Sequence, residues 1–234
     1  MATSEPQPHL VALGGDSDIE RWPIDLLPAP ADASVSVRGL SGATVEEVLP
    51  LIAEVLQDSS SSRTLQQSIT IIFCAGENDI SQSILLADTL ISFRRLLEMV
   101  FPPLTSNSTK SDPTIKKNLI VLGPKFEPWL EYDAGCRKQY FKMSHAMERA
   151  CKKKVELADQ NKNTIIYVDC LTMFCGESGK VPGAVLGGKA MPDKKLFDYD
   201  QLHLSREGYK IWKLVVEEHL TKLLQGKVLS EEEG

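Results

Sequence analysis

The chain has 234 residues, 42% of them apolar, which suits a single domain with a substantial hydrophobic core. Its formal net charge is -6 at pH 7, and its lysines are scattered among acidic residues. Because a protein that tracks nucleic-acid phosphates needs a basic patch, this pattern argues against a nucleic-acid partner.

Short β-rich runs alternate along the chain with longer segments of helical periodicity, which is the pattern of a parallel sheet covered by helices on both faces. The third and fourth β-rich runs are almost entirely apolar, so we place them at the centre of the sheet. The fold class predicted is α/β with a central, mostly parallel five-stranded sheet. The predicted strands are His9–Leu13, Ser34–Val37, Ile69–Cys74, Asn118–Leu122 and Thr164–Val168.

Four segments show the apolar spacing of amphipathic helices. They span Val45 to Leu56, Leu86 to Val100, Asp133 to Asp159 and Ser205 to Leu224. Ser205 is the expected N-cap of the last helix. Two stretches rich in Pro, Gly, Ser or Thr predict loops, Pro102–Lys117 and Gly176–Asp198. The second is expected to form a wall or lid of a pocket, because it directly precedes a candidate catalytic block.

Residues 1–8 are polar and carry no basic region followed by an apolar stretch, so we expect no secretory signal and a cytoplasmic protein. No apolar run approaches membrane-spanning length. The five cysteines are widely spaced without a Cys-x-x-Cys pair, which favours reduced thiols over disulfides, and no residue set has metal-ligand spacing. We predict one domain over residues 1–228 and an acidic, disordered tail over residues 229–234.

The first strand leads directly into Gly15-Asp16-Ser17. Open parallel sheets bind ligands beyond the carboxyl ends of their strands, which is where this serine falls. The glycine lets the backbone turn sharply and places Ser17 near the start of a short helix, whose free amides favour the anion of acyl transfer. An ordinary glycine turn with an N-capping serine explains the same three residues.

Two further blocks offer hydrogen-bond donors at the same edge of the sheet. Gly39 follows the second strand, where the missing side chain lets its amide approach a ligand closely. The segment Gly76-Glu77-Asn78-Asp79 ends the third strand, and the Asn78 amide is a candidate donor to an oxyanion. Clusters of Gly, Asn and Asp also make ordinary turns.

The block Asp200-Gln201-Leu202-His203 supplies an imidazole with a carboxylate three residues away. A serine hydroxyl needs a positioned base, and imidazole, with an unperturbed pKa of roughly 6.5, suits that role near neutral pH. Asp200 is close enough along the chain to orient His203, although an isolated Asp-x-x-His is often only a surface loop. The remaining histidines have no comparable setting: His9, His145 and His219.

The order of these sequence blocks and the residues that flank them resemble those of the SGNH, or GDSL-like, hydrolase family of esterases and lipases. Ser17, Gly39, Asn78 and His203 match the four letters of that name, and the match spans most of the chain. The resemblance implies a three-layer α/β/α, flavodoxin-like fold and ester hydrolysis without a cofactor.

The resemblance also implies a role for each matched residue. Ser17 is the expected nucleophile, His203 the base and then acid, and Asp200 the group that orients His203. The expected oxyanion hole comprises the Ser17 amide, the Gly39 amide and the Asn78 side chain. Two positions depart from the family pattern: Asp18, where many members are apolar, and Val37, where many have asparagine. Asp18 either opposes an oxyanion, faces solvent or binds a positive substrate group.

The sequence thus predicts a serine carboxylester hydrolase acting on a small-molecule acyl ester, with an acetyl group on a sugar or other metabolite as one candidate. Two alternatives remain open. Acyl transfer to an acceptor other than water would use the same acyl-enzyme, with Gly176–Asp198 excluding water. A silent binding protein could use the same pocket, although binding alone requires no base beside a serine.

Overall fold

The computed structural model describes residues 9–30, 33–61, 68–102, 115–158, 163–171, 173–175 and 192–225. Its centre is one sheet of five strands that pair in parallel in the order β2-β1-β3-β4-β5. All five predicted strands are present, so the α/β prediction is confirmed. Their bounds are β1 (His9–Gly15), β2 (Ala33–Gly39), β3 (Ser68–Cys74), β4 (Lys116–Leu122) and β5 (Thr164–Val168).

The four predicted helices are also present, and so is the short helix expected to begin near Ser17; a second short helix was not predicted. The long helices are α2 (Val45–Ser61), α4 (Leu86–Val100), α5 (Ala134–Ala158) and α6 (Arg206–Leu224), and the short ones are α1 (Ser17–Glu20) and α3 (Glu77–Ser81). Ser205 is the N-cap of α6, as predicted, because its side chain accepts a hydrogen bond from the Gly208 amide. None of the described helices combines the length and apolar content needed to cross a bilayer.

Both predicted loops need correction. The first, Pro102–Lys117, is wrong at its end, where Lys116 and Lys117 already belong to β4. The second, Gly176–Asp198, contains a 3-10 turn at Lys194–Leu196, with Asp193 as its N-cap. Residues 103–114 and 176–191 lie outside the described part of the chain, as does the predicted tail. The wall or lid role of the second loop therefore stays a prediction.

The sheet separates two apolar layers because alternate strand residues face opposite sides. On one side Ala12, Ile71 and Leu119 pack with α2, α4 and α5, whereas on the other Leu13 and Ile120 pack with α1 and α6. The result is a three-layer α/β/α arrangement. The chain crosses from one face to the other between β1 and β3, and this reversal in strand order opens a crevice at their carboxyl ends.

The five cysteines carry free thiols in the structure. Four of them are buried, and burial raises the pKa of the Cys151 thiol to about 12 and that of Cys175 to about 11. Such thiols are unreactive core residues at neutral pH. The prediction that the cysteines form no disulfide framework agrees with this arrangement.

Candidate active site

Ser17 stands at the turn from β1 into α1. Gly15 must lack a side chain there, because a Cβ would lie 2.2 Å from the Cys74 carbonyl oxygen and 2.5 Å from the Ile19 side chain. The N-cap of α1 is Asp16, whose Oδ1 accepts a hydrogen bond from the Asp18 amide at 3.1 Å. The alternative of Ser17 as a mere N-cap is therefore wrong, and its hydroxyl is available for other contacts.

The Ser17 hydroxyl meets the imidazole of His203. Their Oγ and Nε2 atoms are 3.1 Å apart, and the other ring nitrogen, Nδ1, is 2.6 Å from Asp200 Oδ2. The second oxygen of Asp200 accepts the amides of Leu202 and His203, both at 3.0 Å. The structure thus joins Ser17 in one hydrogen-bonded chain with Asp200 and His203, which lie more than 180 positions later in the sequence.

Asp200 is held in its charged form. Burial alone would raise its pKa, but the hydrogen bonds from the His203 ring and from the His203 and Leu202 amides lower the pKa to about 2. The guanidinium of Arg21 lies 3.6 Å from Asp200 Oδ2. A permanently ionised carboxylate on Nδ1 leaves Nε2 of a neutral imidazole as the acceptor that faces Ser17.

Asn78 lies half-buried beside this chain of hydrogen bonds. Gly76 precedes α3 with φ +128°, a conformation that L side chains rarely adopt, and it turns β3 into the short helix that carries Asn78. The Asn78 Nδ2 donates to the Ala43 carbonyl at 3.1 Å and approaches Asp16 Oδ2 at 3.5 Å. These contacts hold the side-chain amide next to the residue that caps α1.

Gly39 lies one strand away from Ser17. It pairs with Gly15 in the β1–β2 register and packs against the backbone of α1, where a Cβ would come within 2.2 Å of the Glu20 amide nitrogen. The structure therefore places Gly39 at the same edge of the sheet as Ser17, but outside the lining of the small cavity described next.

A cavity of about 80 Å³ opens directly beside Ser17. Its lining contains polar side chains of the candidate site, the exposed Leu202 and the aromatic wall of Trp129 and Tyr140. The polar and charged lining residues are Asp16, Asp18, Glu77, Asn78, Ser81, Glu127 and His203. This space accommodates an acyl group of a few carbon atoms. The sequence analysis did not identify the aromatic wall, because Trp129 and Tyr140 belong to a 3-10 turn (Pro128–Tyr132) and to α5, far from the recognised blocks.

A buried ionic cluster that the sequence analysis missed adjoins the cavity, and its three carboxylates belong to the cavity lining. The Lys125 ammonium is 1% exposed and contacts Asp18 at 2.6 Å, Glu77 at 2.7 Å and Glu127 at 3.0 Å. Asp18 therefore points inward rather than to solvent, but it is paired with Lys125. The sequence signal that could have found it is the lysine itself, which lies three residues after the end of the buried apolar run of β4 and needs a partner if it is buried.

Acidic groups outnumber basic groups in this region, and burial raises the pKa of several of the acidic groups. Burial raises the pKa of Asp16, with Asp18 and Glu77 adding to the effect. Burial also raises the pKa of Glu77 and Glu127, partly offset by Lys125. The three carboxylates outweigh the desolvation of Lys125 and hold the pKa of its ammonium above the ordinary value. Lys125 therefore stays charged, while Asp16, Glu77 and Glu127 retain protons to higher pH than exposed carboxyls do.

One group of potential metal ligands lies in the described part of the chain, comprising Asp16, Asp18 and Cys74. Its chemistry is unfavourable for a cation. Asp18 already accepts from the Lys125 ammonium, and burial raises the pKa of the Cys74 thiol, which must be deprotonated to bind a metal. The arrangement is better suited to serine chemistry, with a hydroxyl, a base and amide donors at one edge of the sheet.

Neither a protein-family model nor a curated protein sequence matches the chain. Solved structures do match it. A lipase/acylhydrolase from Enterococcus faecalis superposes with TM-score 0.55 and 18% identity, over 96% of this chain and 100% of that one. A catalytic mutant of Axe2, an acetylxylan esterase from Geobacillus stearothermophilus, gives TM-score 0.57 and 16% identity, over 96% of both chains.

A third similar structure is a member of the lipolytic protein G-D-S-L family from Veillonella parvula. It superposes with TM-score 0.54 and 15% identity, over 92% of this chain and 99% of that one. The chain therefore has the SGNH/GDSL-like hydrolase fold that the motif order predicted. At such identities the likeness concerns the fold, and the chemistry has to be argued from the residues.

Proposed function

We propose that this protein is a serine carboxylester hydrolase that cleaves short acyl esters through an acyl-enzyme. The observation that carries the proposal is the hydrogen-bonded chain from Ser17 Oγ to His203 Nε2 and from His203 Nδ1 to Asp200, beside a small cavity. The fold shared with lipases and acetylesterases supports it. Binding alone would not require a base on a serine hydroxyl.

In the first half-reaction, Ser17 Oγ attacks the ester carbonyl while His203 Nε2 takes the hydroxyl proton. The proposed oxyanion donors are the Ser17 amide, the Gly39 amide at the same edge of the sheet, and the Asn78 side chain, whose Nδ2 gives up its 3.5 Å contact with Asp16 Oδ2 to reach the substrate. Amides at a helix start have no acceptor within the helix, and this suits the Ser17 amide to the role. Collapse breaks the bond to the alcohol oxygen, which takes the proton back from His203 and leaves.

In the second half-reaction, water attacks the acyl-enzyme and gives a proton to His203, which returns it to Ser17 Oγ as the carboxylic acid departs. Asp200 stabilises the imidazolium in both halves. No bound group other than the substrate is required. The acyl-transfer alternative depends on the Gly176–Asp198 segment, of which residues 176–191 lie outside the described chain.

A short acyl group is favoured by the size of the cavity. Its volume of about 80 Å³ suits an acetyl or propionyl group, and Trp129 and Tyr140 are among the residues that line it. The acetylxylan esterase among the similar structures acts on an acetyl ester, which supports the same class of substrate here. An acetyl ester of a sugar or another small alcohol is the proposed substrate.

The test is hydrolysis of a p-nitrophenyl ester series from acetate to palmitate by the native chain and by Ser17→Ala and His203→Ala. We expect kcat/KM to be highest for acetate and to fall with each added carbon pair. Each variant should lose at least about 1000-fold in kcat, as other enzymes do when a member of such a triad is removed.

Matched controls are Ser34→Ala, on the exposed start of β2, and His145→Ala, on the exposed side of α5. Both should hydrolyse the acetate ester at the native rate. Native activity in Ser17→Ala, or a preference for palmitate over acetate, would contradict the proposal.

A further inference from the structure

Lys125 is a buried cation with every donor used. Its ammonium is 1% exposed and donates to Asp18 Oδ2 at 2.6 Å, Glu77 Oε2 at 2.7 Å and Glu127 Oε1 at 3.0 Å. An ammonium has three N–H bonds, so three carboxylates from three parts of the chain satisfy it completely. The Lys125 amide adds a fourth bond, to Glu77 Oε1 at 2.7 Å.

Two of these carboxylates are adjacent in the sequence to residues of the proposed catalytic site. Asp18 follows the proposed nucleophile, Ser17, within α1. Glu77 precedes Asn78, the proposed oxyanion donor, at the start of α3. The two helices have four and five residues and are too short to hold their own position. Lys125 bonds to both, so one ammonium connects the segment of the nucleophile to that of the oxyanion donor.

The third carboxylate extends the connection to the cavity wall. Glu127 is 1% exposed, and its Oε2 accepts from Trp129 Nε1 at 2.5 Å and from Tyr140 OH at 3.1 Å. Trp129 and Tyr140 are the two aromatic residues of the wall. Through Glu127, the same ammonium fixes the residues that limit the size of the cavity.

Stability alone is a weak reason for such a cluster. Taking charges out of water is costly, and buried ion pairs replaced by apolar residues of similar volume often leave a protein as stable or more so. What a network of directional, charge-assisted hydrogen bonds provides is fixed geometry. Three carboxylates around one ammonium leave little freedom to the turns that carry them.

We propose that Lys125 is a positioning residue that sets the separation of Ser17 and Asn78 and, through Glu127, the orientation of the cavity wall. This inference rests on the proposed ester hydrolysis. Misplacement of a catalytic group by about 1 Å costs on the order of 100-fold in rate. Loss of the ammonium therefore lowers turnover without removing any group that touches the substrate.

The experiment compares Lys125→Met with Lys117→Met. Lys117 is a half-buried lysine of the same strand region, but it lies at the amino end of β4, away from the cavity. The two variants lose the same charge and receive the same side chain. Active sites are titrated with a fluorophosphonate that labels Ser17, and kcat and KM for p-nitrophenyl acetate are expressed per titrated site.

We expect Lys125→Met to lose about 10- to 100-fold in kcat per titrated site, with KM within about 3-fold of native, and Lys117→Met to keep both. The affinity of an alkylboronic acid, which forms a tetrahedral adduct on the serine, should fall by the same factor as kcat/KM. A loss explained wholly by fewer titrated sites, with normal kcat at each, would overturn the inference and indicate a purely structural role.

Two further measurements keep the outcome decisive. If Lys125→Met does not fold, the triple variant Asp18→Asn, Glu77→Gln, Lys125→Met neutralises two of the three carboxylates left without the ammonium and keeps Glu127. This variant is expected to fold with the same loss of kcat, and native kcat there would overturn the inference. If the native chain hydrolyses no ester, the proposed function fails separately. The inference is then decided by crystal structures, in which the Ser17–Asn78 separation must differ between native protein and folded variant.

Discussion

At the scale of single residues, Asp200 is the group on which the state of His203 depends. It accepts the Nδ1 hydrogen at 2.6 Å and two backbone amides at 3.0 Å. These bonds lower its pKa to about 2, so the carboxylate is ionised near neutral pH. Under the proposed function, we therefore expect an acid limb of a pH–rate profile in the neutral range to come from another group.

Replacing Asp200 with asparagine should lower kcat by about 1000- to 10,000-fold. The amide has a similar shape, but it favours the wrong imidazole tautomer and cannot stabilise the imidazolium. Arg21→Ala is the matched comparison, because Arg21 lies 3.6 Å from Asp200 with its side chain 48% exposed. Exposed ion pairs contribute little, so we expect a change of no more than a few-fold. Steady-state kinetics on p-nitrophenyl acetate distinguish the two, and equal losses would contradict this assignment.

A second prediction at this scale concerns the loss of stability when Gly39 is replaced by alanine. A Cβ on residue 39 would lie 2.2 Å from the amide nitrogen and 2.4 Å from the Cα of Glu20, and these backbone atoms of α1 cannot yield as a side chain would. Gly39→Ala should lower the free energy of unfolding by roughly 1–3 kcal/mol, the usual cost of overpacking.

The control for Gly39 is Gly135→Ala near the start of α5, where the nearest atom is the Asp133 carboxylate at 3.2 Å. Because alanine favours helix over glycine, Gly135→Ala should leave the free energy of unfolding unchanged or raise it slightly. Urea unfolding of both variants is the measurement. Native stability in Gly39→Ala would mean that α1 moves away at little cost.

At the scale of elements, the sequence predicts those whose side chains repeat at a clear period. Runs such as Ile69–Cys74 and the helical spacing of Leu86 to Val100 carry their own signal, because burial on one or both faces dictates the residue types. The helices α1 and α3 have only one turn each and no periodicity to reveal them. Each of them forms where a glycine turn ends the preceding strand, and tertiary contacts hold it in place.

The same reasoning explains which parts of the site the sequence revealed. Ser17, Asn78 and the Asp200/His203 pair are visible because each lies in a short motif. Lys125 and Glu127 lie in no motif, and the other two carboxylates that Lys125 contacts, those of Glu77 and Asp18, are 48 and 107 positions away along the chain. Only the fold brings them together. A lysine shortly after a buried strand indicates that a charged partner is needed, but the sequence does not identify the three carboxylates that serve as partners.

The contact between α6 and α1 leads to a prediction at the element scale. Tyr209 on α6 donates its hydroxyl to the Asp18 carbonyl of α1 at 2.9 Å, and its ring packs against Trp22 and Trp212. Tyr209→Phe keeps the packing and removes one buried hydrogen bond. We expect a loss of about 1 kcal/mol in the free energy of unfolding.

Tyr199→Phe is the control for Tyr209, because Tyr199 is 98% exposed and its hydroxyl is accessible to water. It should change stability by less than about 0.5 kcal/mol. Thermal and urea unfolding of the two variants measure the difference. Equal stability of both would show that water replaces the Tyr209 bond without loss.

At the scale of the whole molecule, buried carboxyls make stability depend on pH in an unusual direction. Folded-state pKa values of Asp16, Glu77 and Glu127 are raised, chiefly by burial. Between the unfolded and folded pKa values, the folded chain keeps protons that the unfolded chain has released. Each such group therefore lowers the free energy of unfolding as pH rises, by up to about 1.4 kcal/mol per pH unit.

Asp16→Asn isolates this effect. Asparagine can still cap α1 through its side-chain oxygen, but it has no proton to lose. Surface carboxylates with lowered pKa values, such as Asp25 and Asp133, have the opposite pH dependence, and they are common to both proteins. The difference in unfolding free energy, variant minus native, cancels them and reports Asp16 together with its electrostatic coupling to the neighbouring buried groups.

We expect that difference to increase in favour of Asp16→Asn as pH rises above about 4, the ordinary pKa of an aspartate, and to level off above the folded pKa of Asp16. Urea unfolding at intervals from pH 4 to pH 8 measures it. The matched control is Asp58→Asn on the exposed end of α2, whose side chain is 76% exposed, and there the difference should stay flat. A flat difference for Asp16→Asn would mean that Lys125 neutralises the buried carboxyls without help from retained protons, and that the cluster costs the fold less than its burial implies.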